Sequence, residues 1–207
     1  MKSRPEPLAK YAARISYVGT GFCGWQKQLG SAAGGDPSIG ALIEETLAGI
    51  VGEKVSVVGS GRTDAGVHAS GQVIHFVTRL KRWDVGILHR ALNSRLPTTI
   101  RVLKVAEVPL EFHAQRSALK KQYSYYFQQG AAPHCPVEPI SWWIHKKLDL
   151  PAMNEALSHL RGEHDFKSFQ SAGTPVRTSV RTIFEAEIER TPVQFPSVLP
   201  YQSDRSS

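Results

Sequence analysis

The strongest constraint on the fold is a glycine-rich loop at residues 60–72, because β-branched segments flank it on both sides. Val55-Ser56-Val57-Val58 precedes the loop and Val73-Ile74-His75-Phe76-Val77 follows it, and both have the length and composition of β-strands. The loop reads Ser-Gly-Arg-Thr-Asp-Ala-Gly-Val-His-Ala-Ser-Gly-Gln. Its glycines permit positive φ and close approach of a ligand to the main chain. The sequence therefore predicts a strand–loop–strand unit here.

Arg62 and Asp64 are the charged side chains of this loop, and His68 is also titratable. A guanidinium beside a carboxylate favours the ionised carboxylate, so Arg62 would keep Asp64 ready to act as a nucleophile or a base. The alternative is an ordinary turn with a solvated ion pair, since Gly, Asp, Ser and Thr are common turn residues. Composition alone favours the turn.

The net charge of the 207-residue chain is +7, which points to a polyanionic partner such as nucleic acid. Its 41% apolar and 21% charged residues are typical of a globular protein. No apolar run is long enough to span a membrane, and no signal peptide or organelle-targeting extension is expected. Cys23 and Cys135 are too few for a disulfide framework or a zinc site, so we expect no metal and a reducing compartment. The expected compartment is the cytoplasm, with the nucleus or an organelle as alternatives.

The first half of the chain predicts the order strand, helix, strand, strand, helix, strand. Alternation indicates strands at Ala13–Val18 and Ile100–Val105. Apolar positions at helical spacing indicate one helix from Ser38 to about Gly52 and a second helix capped by Asp84.

The second half predicts a strand at 120–127, a helix ending at Gly162, an amphipathic strand at 182–190 and a disordered tail at 191–207. The aromatic side chains predicted to lie in the core are Tyr125, Phe127, Phe166 and Phe169. Trp25, in a glycine-rich loop, could either pack in the core or belong to a surface near nucleic acid, with Lys27 on a phosphate.

The string Gly-Arg-Thr-Asp-Ala-Gly-Val-His-Ala at 61–69 resembles the catalytic loop of the TruA family of tRNA pseudouridine synthases. Further segments resemble this family over about residues 11–190, after which the resemblance is predicted to end as in a truncated form. These segments are Tyr17-x-Gly with Gly24-Trp25-Gln26, residues 91–97, Lys121-x-Tyr123-x-Tyr125 and residues 162–169.

The resemblance implies an α+β fold in which two similar, ferredoxin-like halves share a mixed, mainly antiparallel sheet with a central active-site cleft. It places the first half at residues 10–108 and an incomplete second half at residues 109–190. It also implies tRNA as the substrate, a homodimer, no cofactor and no membrane association.

The resemblance assigns catalysis to Asp64, as nucleophile or base, and to Arg62, which would pair with it and fill the space left by a flipped nucleotide. Tyr123 would stack on the target base, as an aromatic ring can. Arg116 stands beside the position where the family often has an arginine. The candidates for phosphate contacts are Lys27, Arg116, Lys120 and Lys121.

Two other functions compete with this prediction. The chain could bind RNA without catalysis, because a last segment with a basic active-site residue is not found in it. A carboxylate-using hydrolase unrelated to RNA is disfavoured, since glycoside hydrolysis normally uses two carboxylates and Asp84 and Glu53 lie outside the loop.

Overall fold

The computed structural model of this chain describes residues 8–26, 36–79, 82–170 and 178–190. The chain divides into two compact units. The first holds the described residues up to Tyr126 together with His134–Trp142, and the second holds Phe127–Pro133 and the described residues from Trp143 onward. Lys27 and the predicted tail at 191–207 lie outside the described residues. Within the described ranges, no helix is long and apolar enough to cross a membrane.

The first unit contains a four-stranded antiparallel sheet with two helices. Its elements are β1 (Ala9–Tyr17), α1 (Ile39–Val51), β2 (Val58–Gly59), β3 (Ala69–Thr78), α2 (Val85–Arg95) and β4 (Ile100–Val108). The strand order is β2-β3-β1-β4. The predicted βαββαβ order, that of a ferredoxin-like unit, and the α+β class are confirmed.

Side-chain caps fix where the two helices begin. The Ser38 hydroxyl accepts a hydrogen bond from Ala41 N–H (3.3 Å), and the Asp84 carboxylate accepts one from Ile87 N–H (2.8 Å), as predicted.

Both helices and the inward-facing side chains of β1 supply the hydrophobic core. Its fully buried members include Tyr11, Ile15, Ile39, Ile43, Leu47, Ile74, Phe76, Leu88, Leu92 and Ile100.

The strand predicted at residues 55–58 is shorter in the structure. Only Val58 and Gly59 pair with β3, opposite His75 and Ile74. The N–H of Val57 donates to the Glu44 carboxylate of α1, at 2.8 Å, so this part of the predicted strand is held by a helix side chain.

The elements after β4 form two small two-stranded sheets and one helix. They are β5 (Phe127–Gln129), β6 (Trp142–Ile144), α3 (Leu150–Ser158), β7 (Gly162–Asp165) and β8 (Val180–Ile183), with short 3-10 turns at Cys135–Ile140 and Lys167–Phe169. Strand β5 pairs with β6, and β7 pairs antiparallel with β8.

The prediction of an aromatic strand at 120–127 is wrong up to residue 126. No described strand pairs with residues 120–125, and Tyr125 is 89% exposed rather than part of the core. The carbonyl of Tyr126 accepts one hydrogen bond, from the N–H of Trp142 at the start of β6 (2.9 Å). Phe169 is also exposed, at 78%. Alternation in the sequence describes a strand only where a neighbouring strand supplies the hydrogen bonds and covers one face.

Two further boundaries differ from prediction. The helix ends at Ser158, and Gly162 begins β7 instead of capping the helix. Strand β8 ends at Ile183, short of the predicted Arg190. Beyond that point the Asn154 side chain bonds both the N–H and the C=O of Ile188 at 2.8 Å, so side chains replace a ladder there.

Polar side chains of β1 and β3 form hydrogen bonds with the backbone of the segment that follows β4. The Lys10 ammonium donates to the carbonyls of Leu110 and Phe112, and His75 Nδ1 accepts from Ala114 N–H at 3.1 Å. Burial, together with the neighbouring His113 and Lys10, lowers the pKa of His75 below its usual value. The fold therefore holds His75 as a neutral acceptor at the start of the segment that contains Arg116.

This arrangement predicts a loss of stability in mild acid. In the unfolded chain His75 takes up a proton near pH 6.5, whereas in the folded chain its pKa is lower. The contribution of neutral His75 to folding stability is therefore complete above about pH 6.5 and decreases as the pH falls below that value. His75→Gln keeps an acceptor for Ala114 without titrating. Urea unfolding at pH 7.5 and 5.5 should show a smaller pH dependence for this variant, whereas exposed His159→Gln should behave like the parent. An unchanged pH dependence for His75→Gln would contradict the assignment.

Candidate active site

The glycine-rich loop between β2 and β3 contains a defined turn. The Asp64 carbonyl accepts a hydrogen bond from Val67 N–H at 3.2 Å, and Gly66, third in this four-residue turn, has φ 78°. A positive φ at the third position is the requirement of a type II turn and explains glycine there. The loop is thus a turn, as composition suggested, and this turn presents the Asp64 side chain to solvent.

Thr63 fixes the residue that precedes Asp64. Its hydroxyl lies 2.9 Å from the hydroxyl of Tyr17, the last residue of β1, and its carbonyl accepts from Trp25 N–H at 2.9 Å. Burial raises the pKa of Tyr17, an effect that the Thr63 hydrogen bond partly opposes, so the phenol stays neutral. Thr63 points inward while Arg62 and Asp64 on either side are exposed.

The segment that follows β1 packs directly against this loop. Gly66 N–H donates to the Phe22 carbonyl (3.4 Å), and Gly19 N–H donates to His68 Nδ1 (3.2 Å). Gly24 has φ 104°, and a Cβ placed there would lie 2.7 Å from the Thr63 carbonyl oxygen. Only glycine permits that approach. Trp25 is buried, at 6% exposure, so of the two alternatives for this side chain the structure has the one in the core.

The predicted ion pair between Arg62 and Asp64 is not formed in this structure. Among the residues described, the ion pair present joins Arg82 to Glu107, 2.6 Å apart. Both Arg62 and Asp64 are exposed, and an exposed pair gains too little over hydration to fix two side chains.

Of the predicted substrate-binding residues, Lys121 is brought against the loop. Its Nζ lies 3.1 Å from where a Cβ on Gly61 would be. Tyr123 is 72% exposed, and Arg116 and Lys120 are also exposed. The backbone N–H of Arg116 donates to His113 Nδ1 (3.4 Å). This hydrogen bond fixes the backbone of the turn but does not restrain the guanidinium of Arg116.

Sequence reasoning missed the role of two residues. These are Tyr17, which lies in the predicted strand Ala13–Val18, and its hydrogen-bond partner Thr63, which is far away in sequence. The available signal was chemical, because a buried tyrosine hydroxyl needs a hydrogen-bond partner.

In the described part of the chain, no group of three or more metal-ligating side chains comes together.

The sequence model of the family described as tRNA pseudouridine synthase matches residues 13–115 and 156–199. These ranges include Arg62 and Asp64 and leave out Arg116, Lys120, Lys121 and Tyr123. The second matched range ends at residue 199, a little beyond the expected end of the resemblance at about residue 190.

Curated bacterial proteins are similar over most of the chain. One from Bdellovibrio bacteriovorus, named tRNA pseudouridine synthase A, is 42% identical over 84% of this chain and 66% of its own length. Proteins of the same name from Sinorhizobium fredii and Neisseria meningitidis serogroup C are 37% and 39% identical, over 89% and 88% of this chain and 73% and 67% of their lengths. The chain spans about two thirds of the length of these relatives.

The fold and the matched loop define a class, the RNA-modifying isomerases. Within that class, the chain belongs to the tRNA pseudouridine synthase family.

The packing at Gly24 predicts a selective loss of activity. Alanine at Gly24 or Gly21 should cost about 1–3 kcal/mol of folding free energy, because both have positive φ. A Cβ at Gly21 has no atom within 4 Å, whereas one at Gly24 would push on Thr63. We expect Gly24→Ala to slow pseudouridine formation in tRNA on the order of 100-fold, as a small misplacement of a reacting group can. Gly21→Ala should retain nearly full activity, and it should be the more stable of the two variants because its Cβ meets no neighbouring atom, so the rates are compared at a temperature at which both variants are folded. Equal rates for the two variants would contradict this account of the loop.

Proposed function

We propose that this chain converts uridine in tRNA to pseudouridine and that the Asp64 carboxylate carries out the chemistry. The observation that carries the proposal is an exposed Asp64 on a turn whose backbone is fixed on both sides, within the range matched by the family. A reacting group gains from being held in one geometry while its side chain stays accessible to substrate.

The reaction breaks the C1′–N1 bond of uridine and joins C1′ to C5 of the same ring. N1 gains a proton and C5 loses one, so the substrate is neither oxidised nor reduced, and the reaction needs no cofactor. Asp64 could attack C1′ as a nucleophile or remove a proton as a base, and its exposed position on the turn supports both roles equally. A flipped nucleotide and a closed pocket would keep the detached ring in place.

Three other residues complete the proposed site. Arg62 is exposed beside Asp64 and could fill the space that the flipped nucleotide leaves. Tyr123, also exposed, could stack on the target base. The Lys121 ammonium group lies next to Gly61, where it could contact a phosphate of the bound RNA. Arg116, Lys120 and Lys27 are proposed as further phosphate contacts.

The net charge of +7 supports a polyanionic substrate. A homodimer, and a division into halves at 10–108 and 109–190, are proposed from the family resemblance.

Removal of the carboxylate provides the direct test. Asp64→Ala should abolish tritium release from tRNA carrying 5-tritiated uridine, because the C5 hydrogen leaves only when isomerisation occurs. Binding of tRNA should change little, since Asp64 contributes no positive charge. The matched control is Asp36→Ala, which removes another exposed carboxylate of the first unit and should leave release unchanged. Undiminished tritium release by Asp64→Ala would refute its proposed role.

A second candidate function is RNA binding without turnover. It is favoured by the segment at 116–126, which exposes basic side chains together with Tyr123 (72%), Tyr125 (89%) and Tyr126 (61%), a combination suited to single-stranded nucleic acid. Pseudouridine formation by the 207-residue chain itself would reject this alternative.

The placement of Lys121 predicts a measurable electrostatic contribution. Lys121→Ala should weaken tRNA binding and reduce the slope of log K against log salt concentration by about 1, as loss of one phosphate contact does. Lys104→Ala removes an exposed charge from β4 and should leave the slope closer to that of the parent. The two slopes can be compared by fluorescence anisotropy over a salt series. Identical slopes for Lys121→Ala and the parent chain would exclude the phosphate contact.

A further inference from the structure

We propose that the buried hydroxyl of Tyr17 positions the catalytic carboxylate of Asp64 by holding Thr63. This inference rests on the proposed function, since it concerns the rate at which Asp64 reacts. Tyr17 does not contact the substrate in this account. It acts through the neighbouring Thr63, so it is a positioning residue.

The position of Tyr17 in the sheet brings its hydroxyl under the loop. Tyr17 ends β1 and lies opposite Ala69, the first residue of β3 after the loop. The pairing of β1 with β3 is irregular here: Ile15 lies opposite Gln72, so β3 has one more residue than β1 over this step. Such bulges change the direction of nearby side chains. The Tyr17 side chain is 3% exposed, and its hydroxyl lies 2.9 Å from Thr63 Oγ1.

Thr63 is held at two atoms, and both restrain Asp64. Tyr17 bonds its hydroxyl, and Trp25 N–H bonds its carbonyl, which belongs to the peptide group that leads into Asp64. On the other side, the Asp64 carbonyl is bonded by Val67 N–H. Without the Tyr17 hydroxyl, Thr63 would keep its carbonyl bond but could rotate its side chain and shift the peptide. Asp64 would then occupy a wider range of positions.

The chain provides a matched control in Tyr11. It lies on the same face of β1, is fully buried and also uses its hydroxyl, which donates to the Trp83 carbonyl (3.1 Å) and accepts from Trp83 N–H (2.7 Å). Tyr11 pairs with Phe76 and Glu107, far along the sheet from the loop. Tyr11→Phe therefore removes a buried hydroxyl without touching Thr63.

The first experiment measures turnover and thermal stability of Tyr17→Phe and Tyr11→Phe in the full chain. Both should lower the melting temperature, and Tyr17→Phe alone should reduce kcat, by about tenfold or more. The KM for tRNA should stay within about twofold of the parent value, because the hydroxyl is buried away from RNA.

Substitutions at Thr63 test whether the effect passes through this residue. Thr63→Ser keeps the hydroxyl and should retain most of the activity. Thr63→Val keeps the shape without the hydroxyl and should reproduce the Tyr17→Phe loss. The double variant Tyr17→Phe/Thr63→Val should be no slower than either single variant, since both remove the same hydrogen bond.

Amide hydrogen exchange followed by NMR supplies a readout that does not need activity. The amides of Trp25 and Val67, bonded to the carbonyls of Thr63 and Asp64, should exchange faster in Tyr17→Phe than in Tyr11→Phe. If the parent chain makes no pseudouridine, the proposed function fails, and the exchange rates alone decide whether Tyr17 fixes the loop. Equal exchange in the two variants would overturn the inference. So would faster exchange in Tyr17→Phe with kcat unchanged.

Discussion

The site depends on the contact between two loops that meet at Thr63. One loop follows β1 and the other joins β2 to β3, and they are joined by Trp25 N–H on the Thr63 carbonyl and by Tyr17 on its hydroxyl. Each such hydrogen bond contributes only about 1 kcal/mol to stability. Their importance is geometric, because they fix the inward residue and leave Asp64 on the outer side of an anchored turn.

Features set by local chemistry were predictable from the sequence. Ser38 and Asp84 begin helices because their side chains satisfy free N–H groups within three residues, so the signal and its cause lie together in the chain. The order of elements in the first unit followed from such signals. The loop at 61–69 was recognised because its residues are contiguous. The partner of Tyr17 was not recognised, because a hydrogen bond between residues that are distant in sequence produces no periodic pattern in it.

The wrong predictions share a physical origin. Alternation at 120–126 and at 184–190 indicates strands, but a strand also needs a neighbour to accept its backbone hydrogen bonds. In the described structure, residues 120–125 have no such partner strand, and the side chain of Asn154 hydrogen-bonds to the backbone N–H and C=O of Ile188. Arg62 and Asp64 are close in sequence, but hydration competes with their pairing at the surface. The pattern identified the residue types at the site but not their contacts.

A nucleoside balance on tRNA tests the proposed isomerisation most directly. An unmodified tRNA transcript incubated with the 207-residue chain is digested to nucleosides, and uridine, pseudouridine and free uracil are quantified by liquid chromatography and mass spectrometry. Each uridine lost should appear as one pseudouridine, with no uracil released, because the ring is detached and rejoined within one site. Unchanged uridine, or uridine lost as free uracil, would contradict the proposed isomerisation.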